Sequence, residues 1–574
     1  MPDEEVTELH PGKWESDPAD EEVTELRPQG WESDPADEYF KLSTLDYCVG
    51  QVYTNYAVFF NLLYGLETPV QATMLAALMA GLEITLAQCR QLCGVLEEYP
   101  DGPPGTLCWH KKRESTVQLN VQILDGNDWE DDPEGEKLYP SSADLQNRHY
   151  TSQALGDLRT WTVAPMTYGE KPEAQPDHHP VAAAFKATFH RGGLVFMMHL
   201  HHYANDVMGW AGMLHQLAEN CAAFWRSTRD IPPPYPPWDP ACLDTSRVTV
   251  PDPPESLRID GPVPPRRHPG HRPCQALLFH LPRNKAAALK EMASPSPEKD
   301  GEGAWVSTYD ASMALIWRVL TRHRARLFNP DPNEPLLWGE AVDMRRRLVD
   351  PPVPPRMQGN VVFVALSSQD PEAQLTVEEV VETAPLSRLA LYIRHLTNTA
   401  TQSRLQTTLQ SIAPIRDKSA LFLRTDSFPP LSNFVTDWRA ARPCDADFGF
   451  GTVHAFRFPF PFGTVTPGLT VVYPPRDDGG LKTYAAERAA SRQPQFGQLE
   501  VDYSKTEDEG NEFVISVERE IVEGLLADEE WSAFFEFRGL RRRVRVGMGM
   551  PGRMPGRMLG RMMWGLHTPP LPGT

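Results

Sequence analysis

The stretch GLVFMMHLHHYANDVMG, residues 193–209, decides the fold of this chain and points to its chemistry. The apolar run 194–198 follows two glycines and predicts an interior strand. Asn205 and Asp206 can cap a helix, because apolar residues recur at helical spacing after them. His202 is therefore predicted in the turn between strand and helix, where an imidazole that titrates near neutrality can take a proton from a hydroxyl.

Three interpretations of these histidines compete. The first is structural: His199, His201 and His202 are polar side chains that only make hydrogen bonds around the end of a strand. The second is a metal site, in which the same histidines and Asp206 bind an ion such as zinc. Adjacent side chains of an extended chain point to opposite sides, so His201 and His202 cannot easily face one ion. The cysteines show no ligand spacing either, and we expect no metal.

The third interpretation is catalytic and rests on motifs spread over most of the chain. HHYAND (201–206) is similar to the HHxxxD signature of BAHD acyltransferases, which use acyl-CoA and include the fungal trichothecene 3-O-acetyltransferases. DFGFG (447–451) resembles their DFGWG signature, with Phe450 in the place of Trp. TDW (436–438) resembles their TSW element, with Asp437 in the place of Ser.

Two further matches lie between and before these motifs. VDMRRR (342–347), the prolines after it and GN (359–360) resemble the VDxRxR…PP…GN segment of the family. LSTLD (42–46) resembles the LSPLD opening of the fold. One position departs from the pattern, because Val207 stands where the family has Gly, while Gly209 is retained. A branched side chain there can change the turn after the histidines.

The resemblance implies an α/β fold of the two-domain chloramphenicol-acetyltransferase type. Each domain of this BAHD fold is a mixed β-sheet flanked by helices, with a central solvent tunnel at the interface. We expect an N-terminal acyltransferase domain over 41–230 with the HHxxxD motif and a C-terminal domain over 275–538 with the DFGFG motif. The proline-dense passage 231–274 cannot continue a sheet or helix and is predicted to be the crossover linker. Within the first domain, the apolar segment 72–96 predicts a helix.

Both ends of the chain are expected to be disordered. Residues 3–20 recur almost verbatim as 20–37, and this duplicated extension over 1–40 is rich in Asp, Glu and Pro. The tail over 539–574 repeats Gly-Arg-Met units and lacks a periodic apolar face.

The composition excludes several classes of partner. A net charge of −22 argues against nucleic acid, which binds basic surfaces. An acidic N-terminus and the lack of a run of about eighteen apolar residues predict neither a signal peptide nor a membrane span. Eight cysteines at irregular spacing are typical of reduced thiols, and we expect a cytoplasmic monomer.

Acyl-CoA is the expected co-substrate, with no bound cofactor. Because coenzyme A is an anion, this assignment requires a local basic patch on an acidic protein. A solvated surface face is the alternative for most of the candidate residues. Those candidates are Arg345, Arg346, Arg347, Arg416, Lys418 and Arg439.

The resemblance also implies a role for each motif residue. His202 is the general base, at which an acyl-CoA and a small alcohol or amine meet. Thr436 and Trp438 are placed near the acceptor. Asp206 turns away from the substrate and pairs with an arginine, for which Arg345 is the first candidate, so that it supports the histidine loop. The residues expected to shape the fold are Asn360, Asp447, Gly449 and Gly451.

The implied function is transfer of an acyl group, acetyl first, from acyl-CoA to a hydroxyl of a small secondary metabolite. Two other classes remain open. A catalytically degenerate protein of this fold would bind without turnover, which Val207 and the unusual termini favour. An enzyme like the condensation domains of peptide synthetases would form amides or esters; such domains share the histidine motif but lack DFGFG.

Overall fold

The structure, a computed structural model, describes residues 21–62, 68–103, 105–124, 139–168, 172–227, 250, 253–296, 303–370, 372–418, 420–459, 466–476 and 510–539. The described residues, up to 539, belong to one compact unit, and the predicted tail lies outside them from residue 540 onward. The strands are β1 (Glu21–Leu26), β2 (Asp37–Lys41), β3 (Tyr53–Asn61), β4 (Val95–Glu98), β5 (Leu107–Lys112), β6 (Val117–Ile123), β7 (Ala183–His190), β8 (Gly193–His201), β9 (Cys274–Leu281), β10 (Trp338–Asp343), β11 (Val362–Leu366), β12 (Asn433–Asp437), β13 (Ala455–Arg457), β14 (Leu469–Tyr473), β15 (Asn511–Glu518) and β16 (Glu536–Phe537). The helices are α1 (Thr68–Gln88), α2 (Ser142–Asn147), α3 (Ser152–Leu155), α4 (Val207–Ser227), α5 (Arg283–Met292), α6 (Thr308–Phe328), α7 (Leu386–Thr399), α8 (Gln402–Ile412), α9 (Val522–Leu526) and α10 (Glu529–Phe534).

The first large sheet has six strands in the order β1-β6-β7-β8-β3-β13. Its neighbours are antiparallel apart from the parallel pair β6 and β7. Every residue of β8 is buried, because this mostly apolar strand lies in the interior of the sheet. The register with β3 places His201 opposite Tyr53, so the histidine motif begins where β8 leaves the sheet.

The second large sheet has seven strands in the order β11-β10-β12-β14-β15-β9-β16. Its strands β10, β12 and β14 are parallel, and the remaining pairs are antiparallel. Helices α5, α6 and α7 form the second hydrophobic core with it, where Trp317 packs against Trp338 with ring centroids 5.0 Å apart. A third sheet, β2-β5-β4, completes a mixed α/β architecture.

The two large sheets do not follow the two predicted domains strictly. Strand β13 comes from the predicted C-terminal domain but pairs with β3 in the first sheet. Trp438, Phe448 and Phe456 likewise pack in the first hydrophobic core. The domain boundaries therefore stay predictions, and part of the second half of the chain completes the first sheet.

Helix α1 is apolar on all sides and packs closely against α4. A Cβ atom on Gly81 would lie 2.2 Å from the sulfur of Cys221, so glycine is needed where the two helices touch. By length and composition, 70–88 is the one described helix that could cross a membrane, and 44% of that window is buried inside the protein. The contact with α4 explains why the inner face of α1 is apolar.

The helix predicted over 72–96 is too long at its C-terminal end. Helix α1 ends at Gln88, and a 3-10 turn (Arg90–Cys93) and strand β4 follow. Leu92 and Leu96 remain buried, so the apolar pattern continues although the conformation changes. Gly94 marks the change, because a Cβ atom there would lie 2.8 Å from that of Trp109.

The disorder predicted over 1–40 is wrong from Glu21 onward. Strand β1 is the edge strand of the first sheet, and β2 belongs to the small sheet. Acidic composition misled the prediction because these carboxylates pair with buried cations. Glu21 contacts the ammonium of Lys186 at 2.9 Å, and Asp34 contacts that of Lys111 at 2.7 Å. Residues 1–20 lie outside the described residues.

The predicted linker 231–274 is described at 250 and from 253 onward. A 3-10 turn (Glu255–Leu257) and a parallel bridge between Ile259 and Ile415 are its local structure before β9 begins at Cys274.

Candidate active site

His202 lies in the turn between β8 and α4, as the sequence predicts. Its backbone N–H donates to the carbonyl oxygen of Val52 at 2.8 Å, which continues the pairing of β8 with β3 by one residue. The residue is partly exposed, whereas His199 and His201 are completely buried. Among the three histidines, His202 is therefore the one that is not sealed in the interior.

The other two histidines are structural, which confirms the first interpretation for them. His199 accepts the backbone N–H of Val163 on Nε2 (2.9 Å) and contacts Asn55 through Nδ1 (2.8 Å). His201 contacts the carbonyl of Ala174 through Nε2 at 2.8 Å. Burial lowers the pKa of His199 to about 3 and that of His201 to about 4, so both stay neutral. His201 and His202 therefore face different surroundings, as expected for neighbours in an extended chain.

The environment of His202 also favours a neutral imidazole. Burial lowers its pKa, while backbone hydrogen bonding and the negative charge of Asp206 offset part of that effect. Its Nδ1 is buried, which favours Nε2 as the nitrogen that meets an incoming molecule. A neutral imidazole in this position is able to accept a proton near pH 7.

Asp206 caps α4 and joins the two halves of the chain. Its Oδ1 accepts the backbone N–H of Gly209 at 2.8 Å, and its Oδ2 accepts that of Val361 at 2.9 Å. Arg345 reaches the same Oδ2 at 3.0 Å, which confirms the predicted pair. Burial alone would raise the pKa of Asp206, but the Arg345 guanidinium and the two N–H donors hold it below its ordinary value.

The guanidinium of Arg345 is fully engaged inside the protein. Its Nη1 also contacts Asp343 at 3.0 Å, and its Nη2 donates to the carbonyls of Gly359 (3.0 Å) and Met357 (3.2 Å). With 10% of its side chain exposed, Arg345 holds the loop 357–361 against Asp206 rather than facing solvent. The position of Gly359 requires glycine, since its φ is +87°.

Two asparagines also hold the loop 357–361 against the histidine motif, and the sequence predicts neither of these contacts. The Oδ1 of Asn205 accepts the N–H of Gly359 at 2.7 Å, and its Nδ2 donates to Gln358 at 2.8 Å. The Nδ2 of Asn360 donates to the backbone carbonyl of His202 at 2.9 Å. Asn205 lies inside the HHxxxD motif at a position that the motif leaves open, so no motif signal marked it.

Asp46 also contacts this loop, although the sequence predicts only that it lies in the motif that opens the fold. This buried carboxylate accepts two hydrogen bonds from Asn360, from the backbone N–H at 3.0 Å and from Nδ2 at 2.8 Å. The LSTLD motif that contains it was the single signal available.

Thr436 and Trp438 lie at the end of β12. The indole Nε1–H of Trp438 donates to the hydroxyl of Thr436 at 2.8 Å. Trp438 is buried beside Tyr56, Phe456, Phe458 and Tyr473, at ring-centroid distances of 5.9–6.0 Å. Thr436 is partly buried, and a hydroxyl that accepts one hydrogen bond can still donate another.

The DFGFG motif forms a tight turn packed on α4. Asp447 is exposed, and its Oδ1 accepts the N–H of Gly449 at 2.8 Å. Gly449 has a φ of +82°, and a Cβ atom there would lie 2.8 Å from the Cα of Ala222. Phe450, which stands where the family has Trp, packs with Phe60 at 5.6 Å. This geometry supports the structural role expected of Asp447 and Gly449.

A cavity of 790 Å³ opens beside the N-terminal end of α6. Three of its lining residues are cationic: Arg283 and Lys290, both exposed on α5, and Arg439. The cavity is lined by Arg283, Ala286, Ala287, Lys290, Glu291, Ser294, Thr308, Arg439, Pro475, Gly510 and Asn511. The sequence predicts Arg439 as part of the basic patch, but it gives no signal for Arg283 and Lys290, which lie in no recognised motif.

The other members of the predicted basic patch do not come together there. The prediction that Arg345 and Lys418 belong to a basic patch is wrong. Arg345 pairs with Asp206 inside the protein. Lys418 is buried, and its ammonium lies 2.9 Å from the carbonyl of Ile415. Arg347 binds the carbonyls at the end of α7, at 2.8 and 2.9 Å. Arg439 itself pairs with Asp437 at 2.6 Å.

Among the described residues, no three His, Cys, Asp or Glu side chains converge as metal ligands.

Comparisons with known proteins agree with this geometry. A model of the Transferase family matches residues 162–486, and a model of the trichothecene 3-O-acetyltransferase-like N-terminal domain matches 52–221. Acetyltransferase FGR3 of Gibberella zeae is 48% identical over 540 residues, 94% of this chain and 95% of that protein. Trichothecene 3-O-acetyltransferase TRI101 of Fusarium sporotrichioides is 23% identical over 397 residues, 66% of this chain and 73% of that protein.

Solved structures show the same fold. The structure of F. graminearum TRI101 in complex with ethyl coenzyme A matches with a TM-score of 0.64 and 19% identity, over 88% of this chain and 100% of that one. Taken with the family model and the relative of 48% identity, it shows that the chain belongs to the Transferase family and is an acyl-CoA-dependent acyltransferase of the BAHD fold.

Proposed function

We propose that the enzyme transfers an acyl group, acetyl first, from acyl-CoA to a hydroxyl of a small secondary metabolite, with His202 as the general base. The observation that carries the proposal is the difference between the adjacent histidines. His201 is sealed and hydrogen-bonded, whereas His202 is partly exposed and held by both halves of the chain.

In the proposed reaction, Nε2 of His202 removes the proton of the acceptor hydroxyl while the oxygen attacks the thioester carbonyl. A tetrahedral oxyanion forms, the C–S bond then breaks, and the CoA thiolate takes up the proton from the imidazolium. Base catalysis of this kind contributes about 10²–10⁴-fold in rate. Holding both substrates together contributes as well, because it raises their effective concentration.

Thr436 is the proposed donor to the oxyanion. Because Trp438 donates to its oxygen, the Thr436 hydroxyl is oriented and its hydrogen remains free. A single well-placed donor of this kind contributes about 10²–10³-fold.

The cavity beside α6 is the proposed site for the nucleotide end of acyl-CoA. Arg283 and Lys290 provide positive charge at this cavity on a protein of net charge −22, and Glu291 in the lining offsets part of it. Asp437 neutralises part of the charge of Arg439, so the two residues of α5 are expected to contribute more. F. sporotrichioides TRI101 has been solved in complex with coenzyme A and T-2, which supports a co-substrate of this type.

The acceptor is proposed by analogy with relatives that carry acetyltransferase and O-acyltransferase names. F. sporotrichioides TRI101 is named a trichothecene 3-O-acetyltransferase, and O-acyltransferase pigD of Monascus ruber is 26% identical over 62% of this chain. A hydroxylated fungal metabolite is therefore the first class to test. A cytoplasmic location and a monomeric state stay predictions.

The test is thiol release by the purified protein from a panel of acyl-CoAs and alcohols. We expect release with acetyl-CoA, and His202→Ala should lower kcat by about 10²–10⁴-fold with an unchanged melting temperature. The matched control His201→Ala should instead lower the melting temperature, because it leaves buried partners unsatisfied.

Other outcomes point to the alternatives. Unchanged turnover by His202→Ala would contradict the proposed base. Stabilisation by acyl-CoA without thiol release would indicate a degenerate binding protein. Activity with a carrier-bound thioester alone would indicate a condensation-type enzyme.

A further inference from the structure

Asp46 is a buried carboxylate outside the motifs that define the reaction. It is 3% exposed, and no Lys, Arg or His among the described residues forms an ion pair with it. Its Oδ2 accepts the backbone N–H of Ser43 at 2.8 Å, which closes a local turn. Its Oδ1 faces Asn360 in the second half of the chain and accepts two N–H groups from it.

The carboxylate decides the orientation of the Asn360 amide. Nδ2 donates both its hydrogens, one to Asp46 at 2.8 Å and one to the backbone carbonyl of His202 at 2.9 Å. A rotated amide would place Oδ1 against two oxygens, both of which can only accept hydrogen bonds. In this orientation Oδ1 is buried, and the Asn360 side chain also interacts with the His202 imidazole, where burial lowers the pKa and Asn360 opposes part of that effect.

The backbone of His202 is held on both sides. Its N–H donates to Val52 in the first half of the chain, and its carbonyl accepts from Asn360 in the second half. The Asn360 amide is therefore the contact that joins His202 itself to the half that carries Thr436, beside the contacts of Asn205 and Asp206 with the same loop. A displacement of about 1 Å at a reacting group can lower a rate by about 10²-fold.

We propose that Asp46 is a positioning residue for His202, which acts by fixing the side-chain amide of Asn360. This rests on the proposed function of His202 for its kinetic consequence only. The positioning itself is a property of three residues whose contacts do not depend on the substrate.

The kinetic test is a double-mutant cycle of Asp46→Leu and Asn360→Leu. We expect each single variant to lower kcat by about 10²-fold with the KM for acyl-CoA within about twofold, because the base moves and the substrate sites do not. The double variant should be no more than about threefold slower than the worse single variant, since both changes break one connection. Asp46→Asn keeps one oxygen that can accept from Asn360 and should lose only about tenfold.

Asp528→Asn is the matched control for loss of a structural carboxylate. Asp528 caps α10 through the N–H of Trp531 and pairs with Arg322 at 2.8 Å, away from the HHxxxD loop in sequence and contacts. We expect a lower melting temperature and an unchanged kcat at a temperature where the variant is folded.

A spectroscopic readout keeps the inference separate from the proposed function. In protein labelled with ¹⁵N in its histidine rings, the His202 signal is identified by its loss in His202→Ala. It should shift in the same way in Asp46→Leu and Asn360→Leu and stay in place in Asp528→Asn. Equal shifts in a protein that transfers no acyl group would support the positioning and overturn the proposed function alone.

Three results would overturn the inference. They are kcat effects that multiply in the double variant, a change confined to KM, and an unmoved His202 signal in Asp46→Leu. If the leucine variants do not fold, the cycle is run with Asp46→Asn and Asn360→Ser, for which the same non-additivity is expected.

Discussion

The carboxylate of Asp206 and the guanidinium of Arg345 meet at 3.0 Å, although 139 positions separate them in the chain. The pair links the loop that carries His202 to the loop 357–361 of the second half. Because both groups are largely buried, their contribution depends on each having its partner.

Asp206→Asn should destabilise the protein and reduce activity together. Removing one partner of a buried pair costs about 3–5 kcal/mol, and we expect a loss near the lower end because the amide keeps some hydrogen bonds. The measurement is the free energy of unfolding in urea, with kcat determined on the folded fraction.

Asp343→Asn is the matched control, since Asp343 contacts the same Nη1 of Arg345 at 3.0 Å but is 29% exposed. Its loss should be below about 1 kcal/mol. Equal losses in the free energy of unfolding for the two variants would show that the Asp206–Arg345 pair stabilises the protein no more than the exposed Asp343–Arg345 pair does.

Gly449→Ala should lower stability more than Gly30→Ala. Both glycines have positive φ, +82° and +75°, so alanine is strained at each by about 1 kcal/mol. At Gly449 the added methyl group also meets the Cα of Ala222 at 2.8 Å, while no atom lies within 4 Å at Gly30. Overpacking adds about 1–3 kcal/mol at Gly449.

Thermal melting of the two variants measures that difference. Melting temperatures that fall equally would mean that the DFGFG turn moves away from α4 at little cost. In that case the motif would not have the structural role expected for it.

The motifs predicted much of the fold and the position of His202, but not the hydrogen-bond network that holds His202 in place. The apolar run before His202 and the cap after it follow from local pattern, and both were correct. Asn205 and Asp46 act through contacts with residues more than 150 positions away, which no local pattern contains. The order of 21–40 was also missed, because the partners of its carboxylates, Lys186 and Lys111, are buried cations distant in sequence.

The contributions of Glu340 and Asp46 to stability should fall as the pH rises from about 4 to about 7. His199 and His201 act in the opposite direction, because burial lowers their pKa values and the folded state gains stability as the pH rises toward 6.5. Burial raises the pKa of Glu340 to about 7 and that of Asp46 to about 6, partly opposed by their hydrogen bonds. The folded state therefore holds these protons more tightly than the unfolded chain, and this stabilisation is lost as the pH rises through the folded pKa values. For Glu340 alone the change is about 3 kcal/mol.

Glu340→Gln should remove the falling contribution of this carboxyl, so the free energy of unfolding in urea should depend on pH more positively between about 4.5 and 7 in the variant than in the wild type. Glu512→Gln is a control in which the pKa shift has the opposite sign. Burial alone would raise the pKa of Glu512, but Arg457 and two further arginines lower it to about 2. That carboxylate stabilises the protein above its unfolded pKa, and its contribution is lost in acid. A slope unchanged in Glu340→Gln would show that this carboxyl does not titrate in the range.

Arg283→Ala and Lys290→Ala should each raise the KM for acetyl-CoA by about tenfold and leave kcat unchanged, because they line the cavity proposed for the nucleotide end. Lys285→Ala is the matched control on the same helix, since its ammonium pairs with Glu536 at 3.0 Å and does not line the cavity. The KM for acetyl-N-acetylcysteamine, a thioester without the nucleotide, should not change in any of the three variants. A parallel rise for both thioesters would place the effect at the acyl end or in the fold, and would remove the cavity from the proposed binding site.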